Sequence, residues 1–346
     1  MQWLKEVNMN KSKDKVFITG VAGFLGSHLA DRLIKKGYHV VGCDNLIGGY
    51  IDNVSPEVEF YQYDCNFLNS MKKIMRGCDV VFHCAATAYE GLSVFCPHLV
   101  TQNIVTTSVA IITAAISNNV KRFIYCSSMA RYGSNEVPFT EDMIPKPVDP
   151  YGIGKVAGES FLRNLSKVHG MEYVIAVPHN IIGPRQKYDD PYRNVAAIFI
   201  NRMLQGKQPI LYGDGNQKRC FSFIHDTIQC LERMAFQENV VEEVINIGPD
   251  EEFITINRLA EVIAELLDFK LKPIYEKGRP QEVVLATCSA DRARMLLDYK
   301  TEYNLKDGLK EMIDWIKKRG TKPFNYNFDL EIVNEKTPKT WKNKLI

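Results

Sequence analysis

An α/β fold is predicted, a doubly wound parallel sheet with a smaller interleaved α/β substrate domain, and three observations carry the prediction. Short apolar runs alternate with helical patterns through the first half of the 346 residues. Those runs are apolar on both faces, as strands covered on both sides must be. The first of them ends in a glycine-rich turn that opens an amphipathic helix.

In chain order the strand-like runs are VFITG (16–20), HVVGCD (39–44), VEFYQYD (58–64), DVVFHCAA (79–86), RFIYCSS (122–128) and YVIAVPHN (173–180). Helical spacing separates them, as with Leu25, Leu29 and Leu33 after the first strand. After residue 180 the rhythm loosens: GPRQKYDDPYRN (183–194) reads as a loop, followed by a helix (195–205), a short strand in PILYG (209–213) and DGNQKR (214–219). CFSFI (220–224) and EVINIG (243–248) are strand-like and are candidates to return to the first sheet. Helix and strand alternate again over 250–319. The expected division is 14–182 with 220–248 as one domain, 183–219 with 249–330 as the second, and 331–346 as a tail with too little pattern to place.

Charge is balanced, 43 basic against 41 acidic residues, so nothing calls for nucleic acid or an anionic membrane as partner. The nine cysteines are scattered, with no C-x-x-C pair and no Cys/His cluster at zinc spacing. Buried free thiols in a reducing compartment and no metal site are the expectation. The N-terminus MQWLKEVNMNKSKDK lacks the apolar core of a signal peptide, and no apolar run reaches the 18 or so residues of a membrane span. A soluble, cytoplasmic protein is expected.

Gly20, Gly23 and Gly26, with Phe24 and Leu25 among them, form a G-x-x-G-x-x-G turn between strand and helix. Such a turn lets backbone N–H groups and a helix N-terminus approach a pyrophosphate. The second strand ends in Asp44, followed by Asn45. A carboxylate at that place bonds a ribose 2′-OH and repels a 2′-phosphate, which predicts NAD rather than NADP; the alternative is an aspartate that caps the loop. Asp64, with Cys65 after it, closes the third strand and is a candidate for the adenine amine, or equally a turn residue. Cys84, Ala85 and Ala86 close the fourth strand, Ser127 the fifth and Pro178 the sixth, all at the carboxyl edge where ligands bind.

DPYGIGK (149–155) carries the chemistry. Asp149 suits a helix cap and Pro150 the first helical position. Tyr151 and Lys155 stand four apart on one face. That spacing arises by chance about once in such a chain, so the surroundings decide its meaning. A neighbouring ammonium and a positive nicotinamide ring would both favour the phenolate. Gly152, Gly154 and Gly158 are expected to make room for a cofactor. Ser128, in CSSMARYG (126–133), is placed to bond a substrate oxygen, or is merely a strand-end serine satisfied locally.

Together, TGVAGFLG, HCAA (83–86), SSMARYG, DPYGIGK, PHNIIGPR (178–185), YGDGNQKR (212–219) and GRPQEV (278–283) resemble the extended short-chain dehydrogenase/reductase superfamily, and within it the NAD-dependent nucleotide-sugar epimerases, over residues 15–319. The resemblance implies a Rossmann domain, with Ser128, Tyr151 and Lys155 catalytic and Asn103 reaching the cofactor ribose. It implies that Asn180, Asn194, Val195, Arg219 and Arg279 hold a nucleoside diphosphate and that Tyr212 packs on its base. The chain departs from the family pattern at Val177, Cys220 and Glu282, which bears on substrate detail more than on chemistry.

The reaction so implied is C4 inversion of a UDP-sugar through a transient 4-keto sugar, with NAD tightly bound and regenerated each turnover. Dehydratases and decarboxylases of this kind carry carboxylates just after the catalytic serine, where this chain has Met129 and Ala130. Arg131, next in line, has no explanation in the sequence. Seven residues after Arg279 the family carries a gate for the sugar C2 substituent; here that is the small Ala286, which implies UDP-GlcNAc/GalNAc and/or UDP-Glc/Gal. The alternatives are a UDP-glucuronate 4-epimerase, with Arg185 or Arg193 near the sugar, a 4-keto nucleotide-sugar reductase, or a non-catalytic NAD-binding protein. The helices over 101–119 and 156–168 carry apolar residues on more than one face, and the resemblance implies a homodimer through them.

Overall fold

The computed structural model describes residues 14–346; the N-terminal stretch read above as lacking a signal sequence lies, through residue 13, outside them. Six strands alternate with helices as the sequence predicts. They are β1 (Lys15–Thr19), β2 (His39–Cys43), β3 (Glu59–Tyr61), β4 (Val80–His83), β5 (Arg122–Cys126) and β6 (Glu172–Pro178). The helices between them are α1 (Phe24–Lys35), α2 (Leu68–Ile74), α3 (Glu90–Ser93), α4 (Pro97–Thr101), α5 (Thr107–Ser117) and α6 (Pro150–His169).

Beyond residue 180 come β7 (Ile181–Ile182), α7 (Val195–Leu204), β8 (Ile210–Tyr212), β9 (Lys218–Arg219), β10 (Ser222–Phe223), α8 (Ile224–Phe236) and β11 (Val244–Ile247). They are followed by β12 (Ile254–Thr255), α9 (Ile256–Leu267), β13 (Ile274–Glu276), β14 (Leu285–Ala286), α10 (Asp291–Leu297), α11 (Leu305–Arg319) and α12 (Lys339–Lys342).

The main sheet is wholly parallel, in the order β11-β6-β5-β4-β1-β2-β3. Read from the other edge this is 3-2-1-4-5-6 with one strand added, the order of a Rossmann fold. The order reverses between β1 and β4, which opens a crevice at their carboxyl ends. Strand residues alternate between two apolar layers. Val16, Ile18, Val80, Phe82 and Ile124 pack with α1, α7, α8, α9 and α11. Phe17, Val41, Val81, Phe123 and Tyr125 pack with α2, α5 and α6. That period of two explains why the runs are apolar on both faces: each face is a core.

Two expectations are corrected. EVINIG joins the main sheet, Val244 pairing with Ile175, but Ser222–Phe223 pairs with Ile181–Ile182 in a separate two-stranded ladder. The chain leaves the sheet after Pro178, turning through Asn180 at φ 41°, so its next ladder forms beyond the sheet edge. Second, Pro97–Ser117 is one helical run of 21 residues with mean hydropathy 1.6, long and apolar enough by length and composition to cross a membrane, and half of it is buried inside the fold. The sequence reading started this helix at 101 and found no apolar run of that length; Gln102 and Asn103 lie within it, in a π-helical turn at Gln102–Thr106.

The tail also finds a place. Phe95 carbonyl accepts from the N–H groups of Glu331 and Ile332 at 3.0 and 2.9 Å. The Glu331 carboxylate accepts from the free N–H groups of His98 and Leu99 at the start of α4, both at 2.8 Å. Trp341 in α12 is buried.

Candidate functional site

One cavity of about 460 Å³ runs from the glycine turn after β1, past the ends of β4, β5 and β6, to β8, β9 and the tail. Gly20, Gly23, Phe24, Leu25 and Gly26 line one end. Gly20 has φ +71°, and a Cβ there would stand 2.9 Å from the Ala85 nitrogen. A Cβ on Gly26 would collide with the Gly20 carbonyl oxygen. These glycines let the turn fold tightly on itself and against the end of β4, and the turn lines the cavity beside the N-terminus of α1, as a dinucleotide pyrophosphate requires.

Asp44 lines the same end, and its carboxylate accepts from the N–H groups of Ala22 at 3.0 Å and Leu46 at 2.7 Å. It thus braces the glycine loop, and each oxygen keeps a lone pair for a ribose hydroxyl. Burial pushes its pKa up against those bonds. Asn45 donates to Asp64 at 3.1 Å, and Asn103 donates to Thr87 at 2.9 Å. Cys65, Cys84, Ala85, Ala86, Ser127 and Pro178 line this half too. The Ser127 hydroxyl itself is committed to the Glu159 carboxylate.

Midway lies the reactive group. Asp149 caps α6 by accepting from Gly152 N–H at 2.9 Å, and Ser93 donates to the same oxygen at 3.3 Å. This fixes the first turn, which carries Tyr151. Ser128 lines the cavity beside Tyr151, close enough to act on its titration, and its hydroxyl oxygen accepts from Ala130 N–H at 3.2 Å. Lys155 is buried, with Nζ 5.9 Å from the Tyr151 ring centre and donating to the Cys126 carbonyl at 2.7 Å. Burial dominates both titrations. It pushes Tyr151 up to about 12, with Ser128 and Arg193 pulling the other way, and Lys155 down to about 8. Lys155 is not what moves the tyrosine in the protein alone, in contrast to the expectation from their spacing.

The α6 glycines have a different reason from the one expected. A Cβ on Gly152 would stand 2.7 Å from the Ala130 carbonyl, one on Gly154 3.2 Å from Ile104, and one on Gly158 would collide with the Tyr125 hydroxyl. They clear protein, letting α6 press against β5 and the turn after it.

At the far end Asn180, Asn194, Val195, Tyr212, Arg219 and Arg279 line the cavity. Asn180 donates to Cys220 carbonyl at 2.9 Å, and Asn194 caps α7 by accepting from Ala196 N–H at 2.9 Å. Arg219 donates to Val283 and Val284 carbonyls at 2.6 and 3.2 Å. Arg279 pairs with Glu282 at 2.7 Å and lies over the Tyr212 ring, 4.8 Å from its centre.

Ala286 does not reach the cavity. It is 2% exposed in β14, paired in register with Arg219, and its side chain joins the layer of Tyr132 and Cys288. Counting seven residues from Arg279 lands on a strand position whose side chain points into the core. Of the two arginines considered for a uronate, Arg193 lines the cavity, whereas Arg185 pairs with Asp31 at 2.7 Å outside it.

Three groups escaped the sequence reading. Glu90 opens α3 and lines the cavity with its side chain exposed; desolvation by the surrounding walls and Asp149 raise its pKa, Arg219 and Arg279 lower it, and its charge is felt at Tyr151. Trp341 and Ile346 bring the tail into the wall. Arg131 acquires its explanation as well: it is buried in a two-pronged pair with Glu159 of α6, at 2.9 and 3.0 Å. That pair ties the Ser128 turn to the helix bearing Tyr151. None of the three carries a local motif.

A family profile described as "NAD dependent epimerase/dehydratase family" matches residues 16–248. A putative UDP-glucose 4-epimerase from Methanocaldococcus jannaschii is 34% identical over 307 residues, covering 87% of this chain and 98% of its own. The solved structure of UDP-glucose 4-epimerase from Thermotoga maritima with UDP-glucose is similar at a TM-score of 0.84 and 31% identity, over 88% of this chain and 99% of that one. UDP-N-acetylglucosamine 4-epimerase from Methanobrevibacter ruminantium, in complex with UDP-N-acetylmuramic acid, gives 0.82 at 30% identity, over 89% and 99%.

Proposed function

The chain belongs to the NAD-dependent epimerase/dehydratase family, and from that premise we propose that it inverts C4 of a UDP-sugar through a 4-keto intermediate. It is an NAD-dependent nucleotide-sugar epimerase. The observation that carries the finer reading is one cavity holding, in sequence, a dinucleotide cradle, the Tyr151–Ser128 hydroxyl pair and two arginines.

When bound, NAD supplies the acceptor and then the donor of a hydride at the sugar carbon. The chain does the rest. Tyr151 takes the proton of the sugar hydroxyl and returns it, while Ser128 bonds the same oxygen and holds it toward the tyrosine. Lys155 contributes a positive charge from beneath. Arg219 and Arg279 exchange their carbonyl and carboxylate partners for the diphosphate, as guanidinium groups do readily. Anchored there, the sugar turns over in the cavity and presents its other face. NAD stays bound because each turnover restores it. The same reading assigns 183–219 and 249–330 to the nucleotide-sugar and the remainder of 14–248 to NAD.

The sugar is read as neutral. Glu90 places a carboxylate beside Tyr151, which disfavours a uronate; Arg193 is the observation on the other side. With Ala286 in the core, the C2 substituent is decided by experiment. Proton NMR of UDP-GlcNAc with purified protein and no added cofactor is expected to show the UDP-GalNAc anomeric signal, absent with Tyr151→Phe. UDP-glucose and UDP-glucuronate follow in the same assay. Turnover of UDP-glucuronate alone would overturn the neutral-sugar reading, and no turnover of any would overturn epimerisation.

A further inference from the structure

We propose that the C-terminal segment, through Trp341, builds the wall of the nucleotide end of the cavity and sets the affinity for substrate by holding Tyr212 and Arg279 in their receiving geometry. The proposal rests on the nucleotide-sugar reading above and adds to it a specificity element outside the alternating α/β pattern.

Trp341 is 2% exposed and lines the cavity. Its ring meets those of Phe95, Tyr192 and Tyr212 edge-on, with centres 6.0, 5.6 and 6.1 Å apart. Next to it, Thr340 shares a 2.6 Å hydrogen bond with the Tyr212 hydroxyl, which fixes the tilt of that ring. The Arg279 guanidinium lies 4.8 Å from the Tyr212 ring centre and 6.0 Å from that of Trp341. Gly91 forms the floor: a Cβ there would stand 3.2 Å from Arg279 Nη1 and 3.5 Å from Trp341 Cη2. The two groups assigned to base and phosphate are therefore both braced by adjacent residues of one short helix.

The segment is tied down away from the cavity by Glu331 on the start of α4, and at its cavity-lining end by Ile346 N–H on the Tyr326 hydroxyl at 3.1 Å. It is a fixed wall. Among the described residues the Trp341 indole N–H has no acceptor, and it is enclosed by protein, so the residue serves the site through packing.

The test measures UDP binding by calorimetry and steady-state kinetics on the UDP-sugar the wild type turns over, for W341A, W341F and T340V. W341A is expected to weaken UDP binding and raise KM by about 10- to 100-fold, with kcat within about threefold and bound NAD unchanged. W341F is expected to recover most of that loss, and T340V to raise KM about two- to fivefold. Unchanged KM in T340V together with unchanged UDP binding in W341A would overturn the proposal, as would a loss confined to kcat. Should W341A fail to fold, T340V decides alone: unchanged KM overturns it, raised KM supports it. A wild type that binds no UDP and turns over no UDP-sugar would instead sink the reading on which the proposal rests.

Discussion

Lys155 is an ammonium held where water does not reach, and its titration follows from that. Burial brings it from 10.5 to about 8. Between those values the unfolded chain binds more protons than the folded one, so this group's contribution to stability rises with pH from about 8 to 10.5. Lys155→Met removes the dependence. The variant's advantage in Tm at pH 7 is expected to shrink by pH 9.5, and thermal melts at the two values check it. Residues joined by short spacing were legible in the sequence: Tyr151 with Lys155, the three glycines, Asp44 at a strand end. Glu90 and Trp341 were not, because each arrives by packing of an element whose own sequence is unremarked. Ala286 failed for a related reason, since counting along the chain cannot say which way a strand residue points.

The pairing of β5's outgoing turn with α6 shows how an element is aimed. Arg131 and Glu159 meet almost free of solvent, their side chains each 4% exposed. Removing one partner of such a pair strands a buried charge, and Glu159→Ala is expected to cost about 3–5 kcal/mol. Chemical denaturation checks the value, and replacing both residues by apolar ones of similar size should cost far less. The strands of the main sheet were legible because both faces are apolar. Ser222–Phe223 was not assigned correctly, since two residues carry no pattern that names their partner. The π-helical turn at Gln102–Thr106 likewise has no sequence signature, although it sits in the longest apolar run.

At the scale of the molecule, one apolar face has no covering element among the described residues. Ile153, Phe161 and Val168 of α6 are exposed, and Val105, Val109 and Ile116 beside them are partly so. A twofold pairing of α5 and α6 would bury all six, so a homodimer is expected. Light scattering should give twice the 39.5 kDa chain mass, and Phe161→Asp should return it to one.

The apolar cluster that starts at Val16 of β1 continues without a break to Ile316 of α11. On the division proposed above, the polypeptide would pass between the two parts after β7, again before β10 and again after β11. Exchanging the sugar-reading part with that of a relative would then need several simultaneous junctions and a re-fitted core. Recombination is a poor route to a new substrate for such a protein; its descendants acquire new specificities by substitution in place, one wall residue after another.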